Sequence, residues 1–435
     1  MLRSSIVVTG ITLLGSALGF VVQLFLAHHF GAGTDVDVYL FAQSWPTFFA
    51  GMVSAFLSYV AIPQLVAREV NPAGQRDYFV TSVVTIAIFA VVVTMIGLGL
   101  GELQTASLPA DSPIRTHAQR ARLVSIGWLI CAVQIGQAYA LSALHAKRHH
   151  ITSASLGLLP YIGMIASTVL LADRIGVSSV AIGMLAGTIA STVAAAWFLR
   201  GRFASDTPRR WVWAETRALF VAAPYAVLAL SCFSIYSVVD AFWAPRAGEG
   251  TLASLGYAQR LVIAIGNLAV AGPSAILVPR ISELARQADP DTLRRFLRKT
   301  LVTVGLGAVI FALPLALAPQ LLIHLLFARG NFSGNNVADV AATLAHMTPG
   351  MVCMLLSVIS LRAMFCLPGA EKAAAMLGGA WGFLYFAASA AMVGYGAPGL
   401  ASAYSVTWVT VCICIVTALF RKAGGKAHGR APAGC

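Results

Sequence analysis

The chain has 435 residues, of which 58% are hydrophobic and only 10% charged, with a mean hydropathy of +0.81. A soluble domain carries roughly 25% charged residues to solvate its surface, so this composition excludes a soluble fold. The net charge of +13 does not indicate a nucleic-acid partner: such proteins gather their basic residues on one face or tail, whereas here they are dispersed among short loops.

In chain order, apolar runs of the ~20 residues that cross ~30 Å of hydrocarbon as a helix predict spans near 5–27, 38–62, 78–101, 121–144, 151–172, 177–199, 218–244, 252–278, 301–320, 341–366, 373–393 and 397–420. The first follows a single Arg3 and has no small-residue cleavage site; it is too long for a signal-peptide core and reads as a retained helix. The expected fold class is an all-α polytopic membrane protein of about twelve transmembrane helices. Its expected parts are an N-terminal lobe (1–200, spans 1–6), a basic cytoplasmic linker (201–217), a C-terminal lobe (218–420, spans 7–12) and a basic cytoplasmic tail (421–435).

Charge orients these spans. With the N-terminus inside, 21 of the 29 Lys and Arg residues fall on that side, six on the other, and Arg260 and Arg362 inside spans. By the positive-inside rule both termini are cytoplasmic. The halves also resemble one another. Phe41-Ala42-Gln43 recurs as Tyr257-Ala258-Gln259 and Pro63 as Pro279, both at an offset of 216, and Leu141-Ser142-Ala143-Leu144 parallels Leu361-Arg362-Ala363-Met364 at 220. Six helices per half is an even number, so the repeats are parallel, related by an axis along the membrane normal, with a cavity expected at their interface.

An ionisable group inside a span is expensive enough that it usually faces a cavity or a partner. Asp37, Asp240, Arg260, His346 and Arg362 qualify. Arg260 could pair bidentately with a phosphate or carboxylate, against snorkelling or bridging Asp240 as the plainer reading. Arg362, late in its span, could contact substrate or anchor at the interface. Asp240 could bind a proton or a sodium ion, or partner Arg260. Asp37 opens span 2, where a carboxylate also suits the helix dipole, and His346 reads as a polar packing residue rather than a proton relay.

Other signals are set aside. Gly97, Gly99 and Gly101 imitate a dinucleotide fingerprint but end a span with no strand before them. The adjacent pairs His28-His29 and His149-His150 point apart on a helix and do not suit a metal. Asn331-Phe332-Ser333 is a bare sequon. Gly15, Gly19, Gly378 and Gly382 read as sites of close helix contact. The seven cysteines form no CxxC pair, so neither disulfides nor zinc are expected. No nucleophile–base pair or phosphate-cradling loop is present, so neither an enzyme nor a cofactor is expected.

Several segments, in order, resemble the lipid II flippase (MurJ/MviN) family of the multidrug/oligosaccharidyl-lipid/polysaccharide exporter superfamily. They are Leu18-Gly19-Phe20 through Phe30-Gly31-Ala32-Gly33 to Asp37, Ser237 to Phe242, Tyr257-Ala258-Gln259-Arg260-Leu261, Val278-Pro279-Arg280-Ile281-Ser282, Leu325 to Phe332, and Leu361-Arg362-Ala363-Met364-Phe365. The resemblance implies a V-shaped pair of six-helix lobes with alternating access, and carriage of an undecaprenyl-diphosphate-linked saccharide between leaflets. It places Asp37 and Arg260 among cavity residues and matches Asp240 to an Asp associated with cation binding. There are departures from the family pattern. Two helix-1 arginines correspond to Ser16 and Val22, an Arg pair in helix 2 falls near Ala50 and Gly51, span 11 lacks the Asn and Asp of a sodium site, and two further helices are not found after the twelfth.

The expected function is therefore a flippase for a polyprenyl-diphosphate-linked saccharide precursor, lipid II-like or a surface-polysaccharide unit. Substrate binding would fall to Arg260, Asp37 and Arg362, with Asp240 as a cation site. Expected partners are membrane lipid and envelope-synthesis enzymes. The alternatives are a cation-coupled exporter of small amphipathic molecules on the same fold and a non-transporting scaffold.

Overall fold

A computed structural model describes residues 2–203, 208, 210–216, 228, 234–286, 290–367 and 370–424. Among them there is no strand. The helices are α1 (Leu2–Phe30), α2 (Thr34–Ala67), α3 (Pro72–Ala106), α4 (Pro113–Thr116), α5 (Arg120–Ala146), α6 (His150–Leu156), α7 (Leu159–Ile175), α8 (Ser178–Leu199) and the single turn α9 (Trp213–Thr216). They continue with α10 (Tyr236–Ala247), α11 (Thr251–Arg286), α12 (Pro290–Leu317), α13 (Pro319–Phe327), α14 (Gly334–Phe365), α15 (Glu371–Met392) and α16 (Gly396–Gly424).

Every predicted span falls on a helix, although the seventh is described only from Ser234 onward, apart from Leu228, and is helical from Tyr236. Of the basic linker and tail, Arg209, Arg217, Lys426 and Arg430 lie outside the described residues, as do Cys232 and Cys435. Among the described residues eight segments are long and apolar enough to cross a membrane, the last of them, Lys372–Ala423, taking in both α15 and α16.

Local chemistry sets the helix ends. Asn71 accepts from the Gly74 amide at 3.1 Å, with Pro72 in the first turn of α3, and Ser333 accepts from the Asn336 amide at 3.3 Å to start α14; both satisfy an amide that the helix leaves open. Gly176, at φ +60°, stops α7 in a conformation that other residues rarely adopt. Two expectations need correction. The fifth span is not continuous but splits into α6 and α7 around Gly157 and Leu158, with Pro160 in the first turn of α7. The ninth ends at Leu317 and a new helix starts at Pro319. In both cases a proline, which has no amide hydrogen to donate, sits in the first turn, where that hydrogen would have no helical partner in any case.

The chain divides into two compact units, Met1–Val227 and Leu228–Cys435, and their internal packing follows one plan. In the first unit α5 is the hub, packed on α2, α3 and α8, while α7 pairs with α8 and α1 lies on α7. In the second unit α14 is the hub, packed on α11, α12 and α16, while α15 pairs with α16 and α10 lies on α15.

Small residues allow these helices to approach. A Cβ on Gly187 would lie 2.4 Å from the Leu159 carbonyl oxygen, and one on Gly183 would lie 2.3 Å from that of Gly163, so α7 and α8 meet backbone to backbone. Gly97 and Gly101 are seats for side chains of α5: a Cβ at Gly97 would sit 2.2 Å from the Trp128 ring, and one at Gly101 2.5 Å from Val124. The fingerprint-like glycines are thus packing sites. Gly15 and Gly19 receive Leu158 and Tyr161, and Gly382 receives Ile235, as expected of close helix contacts. Overpacking costs typically ~1–3 kcal/mol, so Gly187→Val should lower the thermal unfolding midpoint in detergent clearly, whereas Gly99→Ala, which meets nothing within 4 Å, should leave it unchanged.

Candidate functional site

Asp240 lies in the second turn of α10 and is 2% exposed. Its Oδ1 accepts the Tyr385 hydroxyl of α15 at 2.5 Å, and its Oδ2 accepts the Gln259 side-chain amide of α11 at 3.0 Å. One carboxyl group therefore joins three helices of the second unit. Around it the rings of Trp381, Tyr385, Tyr404 and Trp408 pack with centroids 4.9–6.2 Å apart, an apolar surrounding in which an unpartnered polar group would be costly.

The family resemblance associates Asp240 with a cation; here each of its carboxylate oxygens accepts one bond from a neutral O–H or N–H donor. Among the described residues no three His, Cys, Asp or Glu side chains converge.

Arg260 follows Gln259 on α11, and successive residues on a helix point about 100° apart. Gln259 therefore turns to Asp240, while the Arg260 side chain is exposed and makes no hydrogen bond or ion pair among the described residues. The pairing of Arg260 with Asp240 is not formed. At nine residues from the start of α11, Arg260 sits about 14 Å along the helix, too deep for easy snorkelling to that end. Arg362 is exposed in the last turn of α14. Asp37 is 2% exposed in the first turn of α2, its amide bonded to the Gly33 carbonyl at 3.1 Å. Of the predicted set, Asp37 belongs to the first unit and Asp240, Arg260 and Arg362 to the second.

His346 is exposed rather than packed: its ring bonds the Ala342 carbonyl one turn back, and its own carbonyl accepts the Ser405 hydroxyl at 2.6 Å. The adjacent histidines do not pair with each other at α6. Instead His145 and His150, across the α5–α6 turn, bring their Nδ1 atoms to 3.0 Å, and His149 accepts from Arg202 at 3.1 Å. Gln43, the repeat counterpart of Gln259, is also buried, but its amide nitrogen has no partner among the described residues. Tyr385 was missed in the sequence because a tyrosine in an apolar span reads as core.

Comparison with known proteins places the fold. A structure of the lipid II flippase MurJ in an inward closed conformation superposes with a TM-score of 0.80 at 16% identity, covering 96% of this chain and 90% of that one. An inward-facing multidrug resistance MATE transporter of the MOP superfamily gives 0.76 at 12% identity, covering 94% of each chain. A probable lipid II flippase MurJ of Vibrio cholerae serotype O1 is 22% identical over 400 residues, 82% of this chain and 71% of that protein. Residues 26–431 match the family described as lipid II flippase MurJ, and the chain belongs to that family.

Proposed function

We propose that this protein moves a polyprenyl-diphosphate-linked saccharide of the lipid II type from the inner to the outer leaflet of a bacterial inner membrane by alternating access, with both termini cytoplasmic. The observation that carries this reading is the family match over residues 26–431, joined to a helical, apolar chain with no soluble domain attached among its described residues. It supports a lipid-linked substrate over a small amphipathic molecule. Enzymes that synthesise the envelope precursor are the partners this role calls for.

Arg260 is the leading headgroup contact. A guanidinium exposed on a spanning helix at that depth is stable only against water or an anion, and its planar fork suits a diphosphate. Arg362 and Asp37 are secondary candidates. Asp240, whose oxygens are both occupied by neutral donors, acts as a clamp between α10, α11 and α15.

Purified protein in liposomes should speed the transfer of a fluorescent undecaprenyl-diphosphate saccharide between leaflets. Hydrogen bonds to charged groups are worth ~1.5–3 kcal/mol, so Arg260→Ala should slow transfer on the order of ten-fold or more; no transfer by folded wild-type protein would refute the flippase reading. Tyr385→Phe removes a donor from a buried carboxyl and should cost ~1–3 kcal/mol of stability, read as a lower unfolding midpoint. Replacing sodium by choline should leave the wild-type midpoint unchanged, and a sodium-dependent rise would reinstate a cation at Asp240.

A further inference from the structure

The described part of the basic segment after α8 is docked on α2 and α3. Arg68, at the end of α2, donates to Glu215 Oε2 through Nε at 3.2 Å and Nη2 at 2.8 Å. The Val212 amide bonds Thr81 Oγ1 at 3.3 Å, Arg76 donates to the Pro208 carbonyl at 3.2 Å, and Thr85 meets Thr216 at 3.4 Å. Pro208 and residues 210–216 are thereby strapped across the end of the first unit where α2 stops and α3 starts.

The outer side of this strap has a distinct composition. Trp211 and Trp213 stack with ring centroids 5.5 Å apart, and are 49% and 46% exposed. Trp197, in the last turn of α8, is 67% exposed with the Arg200 guanidinium 5.2 Å above its ring. Arg200, Arg202 and Arg210 are exposed and have no acidic partner among the described residues, while the nearby Glu69 and Glu215 are committed to Arg148 and Arg68.

From this surface we propose that the strap is a binding site for anionic phospholipid headgroups, with its tryptophans seated in the headgroup layer and Arg200, Arg202 and Arg210 against the lipid phosphates. The chemistry agrees on three counts. Tryptophan has an apolar body with a polar N–H and collects at membrane interfaces. Unmatched arginines complement the negative charge of a cytoplasmic leaflet. The ends of α2 and α8 and the start of α3 fix the strap at the depth where hydrocarbon gives way to headgroups. The anchored Glu215 holds it there instead of letting it rise into water. The inference rests on the membrane orientation proposed above.

The test uses the full chain in vesicles of phosphatidylcholine and phosphatidylglycerol, with bromine quencher placed on one lipid and then on the other at equal mole fraction. Wild-type tryptophan emission should be quenched more strongly by brominated phosphatidylglycerol. That excess should shrink clearly in the Trp211→Ser/Trp213→Ser double variant, which removes two of the eight tryptophans and leaves Trp197 beside Arg200. One basic residue near an anionic surface changes lipid preference on the order of five-fold, so Arg200→Gln/Arg202→Gln/Arg210→Gln should reduce the excess several-fold, as should raised salt. Equal quenching by the two lipids, or an excess undiminished by loss of both tryptophans or of all three arginines, would overturn the proposal. Variants are compared at equal helical circular dichroism, so misfolding is not mistaken for lost binding. Because quenching needs no saccharide substrate, it can succeed where lipid transfer fails, and the two readings stand or fall separately.

Discussion

Everything in this fold depends on how closely helix backbones can approach inside hydrocarbon. Lipid tails are as apolar as leucine, so helices gain little by hiding apolar side chains from them, and association falls to close packing and hydrogen bonds. The glycines supply that proximity. Gly163, Gly183 and Gly187 press α7 and α8 together at carbonyl distance, Gly127 of α5 meets the Ala42 carbonyl of α2, and Gly350 of α14 meets Ser405 of α16. At the last contact the Gly350 amide also donates to Ser405 Oγ, whose hydroxyl donates to the His346 carbonyl. One serine thus bridges the Gly350 amide and the His346 carbonyl, the donor and acceptor that an undisturbed helical turn would join to each other, next to the interior Pro349.

Polar groups in the interior follow the same economy, and the two repeats show how it diverged. In the second unit Gln259 has Asp240 to bond, and Tyr385 closes the other oxygen. In the first, the equivalent Gln43 is as deeply buried without such an acceptor. Among the described residues the duplicated amide nitrogen is thus bonded in the second unit and unpartnered in the first. Elsewhere the first unit pairs its buried polar groups across helices, Gln137 with Ser191 at 2.7 Å and Gln104 with Ser44 at 3.0 Å.

Much of this was legible in the sequence. Hydropathy placed the spans because only a helix can satisfy its own backbone in lipid, and Tyr257-Ala258-Gln259 against Phe41-Ala42-Gln43 exposed the repeat that the packing of α11 on α14 and α2 on α5 repeats. The breaks at Leu158 and Ala318 were not read, since apolar runs continue through them and only the prolines mark a new first turn. The Asp240 clamp was out of reach for a different reason. Its partners Tyr385 and Gln259 are neutral and 145 and 19 residues away, and no charge or motif advertises them. Arg260 stood out because it is charged, but which way it faces follows from Gln259 taking the inward position beside it.

The distribution of charge constrains how a diphosphate could be handled. Of the ionisable groups predicted inside spans, both arginines, Arg260 and Arg362, belong to the second unit, while the first contributes the carboxylate Asp37. With Ser16, Val22, Ala50 and Gly51 where the family pattern has arginines, the first unit offers little within its spans to hold an anion by Coulomb attraction. Under the proposed function, the headgroup is therefore held mainly through the arginines of the second unit. A carrier needs a headgroup bound firmly enough to leave one leaflet and loosely enough to enter the other. Two arginines meet that need with less binding strength than a ring of them would, which under the proposed function makes Arg260 correspondingly harder to replace.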